Sequence, residues 1–109
     1  MYQTINGWTK NKMIQYIKDN FKGKSYNEFG KCLYRGPEGK KCAAGLFIPD
    51  EKYNERMENK SAGSLVKNWS IEFPLKETAM DSLQQVHDES KEDETLNNMI
   101  SWIKRNVED

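Results

Sequence analysis

The sequence predicts an α+β fold, three to four helices packed around a small antiparallel β-hairpin. Three observations predict it. Apolar residues recur at helical spacing in several stretches, a Gly-Pro-Glu-Gly turn separates two short segments, and proline or glycine punctuates the chain between elements. The 109 residues fit one domain, 1–109, with no internal repeat or low-complexity tract.

Thr9 is placed to cap the first helix, and Met13, Ile14, Ile17 and Phe21 recur on one face behind it. With Gly23 as the stop, this helix is expected over Lys10–Lys22. Gly36-Pro37-Glu38-Gly39 is a turn sequence, since proline presets one φ angle and glycine permits positive φ. Lys31–Arg35 and Lys40–Ala44 would flank it as strands. That register opposes Cys32 to Ala43, so the two thiols fall on opposite faces unless a bulge shifts one strand. Ala43–Ile48 is a compact apolar run that reads as core, and Pro49 ends it. Asp50 is placed to cap a short helix reaching Met57. Asn59–Ser64 reads as a loop, Leu65, Val66 and Trp69 as a short buried segment, and Pro74 as a break. Thr78 would open a further helix with Ala79, Met80, Leu83 and Val86 on its apolar side. Asp88–Glu94 reads as an acidic connector. Leu96, Met99, Ile100, Ile103 and Val107 then mark the last helix, whose Lys104 and Arg105 suit the negative end of its dipole.

Charge is balanced overall but split along the chain. Residues 1–60 hold 12 Lys+Arg against 7 Asp+Glu, and residues 61–109 hold 5 against 10. A basic half folded against an acidic half accounts for this, and an acidic face presented to a basic partner is the sharper alternative. No nucleic-acid-binding motif is present, so nucleic acid is not an expected partner. The opening MYQTINGWTK lacks an apolar signal core, and no stretch approaches the ~18 apolar residues of a membrane span. Two cysteines are too few for a disulfide scaffold. These observations lead to the expectation of a cytoplasmic protein with reduced thiols, no membrane contact and no cofactor.

The block Cys32–Gly45 (CLYRGPEGKKCAAG), with Ile48-Pro49-Asp50-Glu51 and Tyr53 after it, resembles a family of small bacteriophage and prophage proteins of unassigned activity. Leu83-Gln84 and His87-Asp88 are similar to a second segment of that family, and the resemblance covers about residues 28–105. It implies a phage or mobile-element accessory protein, working in the host cytoplasm. Small size, a thin core and the split charge fit one that binds and modulates a host protein, of a host-takeover or anti-defence kind.

Four groups of residues could carry chemistry. Arg35, Lys40 and Lys41 cluster at the turn beside glycine N–H groups, which would suit a phosphate or carboxylate and hence a nucleotide-sequestering protein. A solvated turn is the plainer reading. Cys32, Cys42 and His87, with Asp88, could ligate a metal, although the nine-residue spacing is longer than that of zinc knuckles. A Cys–His nucleophile would need an orienting group, and Asp88, next to His87 on a helix, is expected to point elsewhere. Asp50, Glu51, Tyr53 and Glu58 could hold a cation or exchange protons, or simply cap, pack and solvate. Trp8, Trp69 and Trp102 read as core or edge residues. No motif assigns a catalytic residue, and the oligomeric state is left open.

Overall fold

In the computed structural model, which describes residues 1–109, helix α1 (Lys10–Asn20) begins where Thr9 Oγ1 accepts the Lys12 N–H at 3.1 Å. Met13, Ile14 and Ile17 turn inward from it. The helix stops before Gly23, because Phe21 already adopts extended backbone while its N–H closes on the Ile17 carbonyl.

Helix α2 (Ala62–Trp69) starts at Ser61, whose hydroxyl accepts the Ser64 N–H. It occupies the stretch read as loop and short buried segment. After it, Ile71, Phe73 and Leu75 run into the core around Pro74. Helix α3 (Glu77–Glu89) buries Ala79, Met80, Leu83 and His87. A 3-10 turn at Glu92–Glu94 leads into α4 (Thr95–Asn106), which buries Met99, Ile100 and Ile103. Strands β1 (Tyr2–Gln3) and β2 (Val107–Glu108) pair in parallel, Tyr2 with Val107, and so tie the two ends of the chain together. Helix α4 packs between α1 and α3, and α2 lies on α3. One core of 23 buried residues unites them. At its edge Trp8 meets Tyr16 and Phe47 edge-on, the latter two rings stack, and the Tyr16 hydroxyl bonds the Leu46 carbonyl at 2.8 Å.

The structure overturns the antiparallel hairpin. The fold is mostly helical, with four helices and only the two-stranded parallel sheet. Pro37–Gly39 makes a tight 3-10 turn, closed by Gly36 N–H to the Lys40 carbonyl at 2.8 Å, but its flanks do not pair further. The reason is where the backbone donors go. A carboxylate distant in sequence, Glu58, accepts the Tyr34 N–H at 2.9 Å and the Arg35 N–H at 3.2 Å. Cys32 pairs instead with Tyr26, in a single antiparallel bridge. Beyond the turn, the chain enters a second 3-10 turn at Gly45–Phe47 instead of a strand. The short helix expected behind Asp50 is also absent. Residues 49–53 form a turn, and a 3-10 helix appears only at Glu55–Met57, capped by Asn54 and not by Asp50.

Candidate functional site

The distinctive segment from Tyr34 to Glu58 folds onto itself. The Glu58 carboxylate accepts three donors, the two backbone N–H groups of residues 34 and 35 and the Tyr53 hydroxyl at 2.6 Å. Burial and that bond to Glu58 push the Tyr53 phenol up to about 12. The Tyr34 hydroxyl donates to the Lys60 carbonyl, and burial raises its pKa strongly. Arg35 spans the segment, with one guanidinium nitrogen 2.7 Å from Asp50 Oδ1, another 2.8 Å from the Ile48 carbonyl, and the plane over the Tyr53 ring. Its Nε has no partner.

This geometry decides what the basic cluster holds. The anion beside Arg35 and Lys41 is the chain's own Asp50 carboxylate, held below the ordinary carboxylate range by the Arg35 hydrogen bond and charge and by Lys41, 3.7 Å away. The Gly36 and Lys40 amides are spent within the turn. Lys40 lays its stem against Gly23. A phosphate at Arg35 would compete with Asp50 for the guanidinium. Of the four residues that could hold a cation, Glu58 and Tyr53 bond each other and Asp50 pairs with Arg35. Glu51 is exposed and joins none of them.

Cys32, His87 and Asp88 meet around Gln84 of α3, and the buried Cys42 has Cys32 as a neighbour. The Gln84 side-chain N–H group donates to Cys32 Sγ at 3.1 Å and to Asp88 Oδ1 at 2.9 Å, while its oxygen accepts the Ala44 N–H at 3.0 Å. Asp88 does not point away from its neighbour, because its Oδ1 lies 2.8 Å from His87 Nδ1. Burial alone would raise the Asp88 carboxyl. Hydrogen bonds from His87 and Gln84, with the charge of Lys24, outweigh it and hold the carboxyl low. With Nδ1–H donated to Asp88, Nε2 is the acceptor, and it receives the Ser25 backbone N–H at 3.4 Å. Nε2 of this fully buried histidine thus holds Ser25 to α3, while Nδ1 is engaged by Asp88. Neither is free to activate a thiol or ligate a metal, and no group of three or more His, Cys, Asp or Glu side chains is arranged to hold one. Lys24 completes the clamp, donating to the carbonyls of Asp88 and Ser90 at the end of α3.

Two clefts flank Cys32. The larger, about 410 Å³, is lined by Tyr34, Lys60, Asp81 and Gln84, and the smaller, about 310 Å³, by Lys24, Ser25, Tyr26 and His87.

Sequence reasoning passed over the rim of the smaller cleft. Residues 26–31 form a turn braced by Asn27, whose side-chain oxygen accepts the N–H groups of Phe29 (2.8 Å) and Lys31 (3.0 Å). Its backbone N–H meets the Lys31 carbonyl, and its carbonyl accepts Gly30 N–H. Gly30 takes φ +77°, which its lack of a Cβ permits. On this braced turn Phe29 is 80% exposed and Tyr26 50%. The signal lay in Asn27 and Gly30, a turn pair carrying two aromatics through a polar stretch. No family model, curated protein or solved structure matches the chain.

Proposed function

We propose that the protein works by binding another protein, as a phage or mobile-element accessory protein that modulates a host component. The observation that carries this reading is Phe29, exposed on a turn that four hydrogen bonds hold in place. An aromatic ring left in water at a braced position loses little conformational freedom on docking, which is the character of an interface anchor. The charge split supports the same reading. The only Lys/Arg ion pairs are Arg35–Asp50 and Lys41–Asp50, both within the basic half, so no such pair links it to the acidic half. A partner offering an apolar pocket with a polar rim complements Phe29 and the exposed Glu28 and Lys31 of the same turn.

Affinity capture from host lysate tests the proposal, comparing the wild-type chain with Phe29→Ala and with Ile5→Ala, a change at an exposed apolar residue elsewhere. A protein retained by the wild type and Ile5→Ala should fall about tenfold or more with Phe29→Ala. Equal capture by all three, or none by a folded wild type, overturns the reading.

A further inference from the structure

Cys32 and Cys42 are the only thiols, both are free, and they differ in access. Cys42 is fully buried, while Cys32 is half-buried in the wall between the two clefts. Two contacts hold their segments side by side. Gln84 bonds Cys32 Sγ with one end and the Ala44 N–H with the other. A few residues further along, Gly45 sits so close to Tyr34 that an added Cβ would collide with the Tyr34 carbonyl oxygen. Burial raises the Cys42 thiol well above its ordinary range, and the neighbouring Cys32 sulfur raises it further. Each cleft carries one lysine and one aspartate, Lys60 with Asp81 and Lys24 with Asp88, so small molecules of either charge can reach Cys32.

We infer that Cys32 and Cys42 form a thiol pair that exchanges with low-molecular-weight disulfides, with Cys32 as the attacking sulfur and Cys42 as the resolving one. In the first step the Cys32 thiolate attacks one sulfur of the disulfide. That S–S bond breaks, a mixed disulfide forms on Cys32, and the departing thiolate takes up the proton Cys32 released. In the second, Cys42 gives up its proton and attacks the Cys32 sulfur, and the second small thiolate leaves and is protonated. The pair loses two electrons as the external disulfide gains them. Because Cys42 is buried and protonated, the second step is the slow one.

The experiment treats the folded, reduced chain with glutathione disulfide and follows intact mass and peptide maps. The wild type should pass through a glutathione adduct on Cys32 to a form lighter than the reduced chain by two hydrogens, linked Cys32–Cys42 and restored by reductant. Cys42→Ala should stop at the Cys32 adduct, and Cys32→Ser should stay unmodified until denatured. Should Cys42→Ala fail to fold, the wild-type map and Cys32→Ser still decide. An adduct on wild-type Cys32 that never resolves, modification of Cys42 in native Cys32→Ser, or no reaction at all overturns the inference.

Discussion

Two stretches of the first half behave in opposite ways. The Tyr34–Glu58 segment, rich in the residues that set this sequence apart, spends Arg35, Tyr53 and Glu58 on bonds within itself. Glu58 takes three donors, Arg35 takes Asp50 and the Ile48 carbonyl, and Gly36 and Gly45 leave no room for a Cβ beside Ser25 and Tyr34. The turn at residues 26–31 has no comparable signature, yet it presents its aromatics to water. Unusual residue patterns here mark where the chain must recognise itself. The outward-facing chemistry sits where the sequence is plain.

The sharpest way to break that contrast is Gly45→Ala. Its Cβ would meet the backbone of Tyr34, which cannot swing aside as a side chain would. The expected loss is about 3 kcal/mol or more, read as a lower urea midpoint. Glu58→Ala comes next. It strands the Tyr34 and Arg35 N–H groups in a partly buried place and unpairs the Tyr53 hydroxyl. A loss of about 2–4 kcal/mol is expected, while Tyr53→Phe, which removes only one of the three bonds, should lose about 1 kcal/mol. If both glutamate and tyrosine variants cost the same, the backbone donors are not what Glu58 serves.

These residues also show what could be read in advance. Helices α1 and α4 were legible because their signals are local, a Thr9 cap and apolar residues three and four apart. The hairpin was misread because turn chemistry at Gly36–Gly39 is local too, whereas the competitor for the flanking N–H groups, Glu58, is more than twenty residues away. Asp50 and Asn54 are both good caps on paper. Arg35 took the first for an ion pair and left the second to start the 3-10 turn. The meeting of Cys32, Cys42 and His87 was visible only as a possibility, because the expected register put the thiols on opposite faces. The His87–Asp88 contact defied the rule that adjacent helix residues face apart, and it occurs in the last turn of α3, where the helix is ending. The aromatic turn went unread, although Asn27 and Gly30 carry a turn signal.

Acid unfolding probes the α3 side of the molecule. Asp88 is held low in the fold, so its contribution is complete above the unfolded carboxyl value of about 4 and is lost as pH falls through the lower folded value. Its side chain is 46% exposed, and solvent screening limits the effect to roughly 1 kcal/mol. Asp88→Asn should therefore lower stability slightly at pH 7 and flatten the dependence of the urea midpoint on pH below about 4. An unchanged acid limb would mean that the bond to His87 carries no net stability.

The smallest effect belongs to the other side of the comparison. Phe29 is 80% exposed, and its turn is held by the side chain and backbone of Asn27, not by the ring. Truncating the ring removes neither a buried contact nor a brace, so Phe29→Ala should shift stability by no more than about 0.5 kcal/mol in either direction. Asn27→Ala, which deletes the acceptor for two N–H groups, should cost more, about 1 kcal/mol. That ordering separates a ring kept for a partner from one kept for the fold. A residue selected by folding loses stability when cut back, as Glu58 and Gly45 should, whereas one selected by docking loses only its partner. If Phe29→Ala instead destabilises the chain as much as Asn27→Ala, the ring is packed in solution, and the exposed anchor on which the binding proposal stands does not exist.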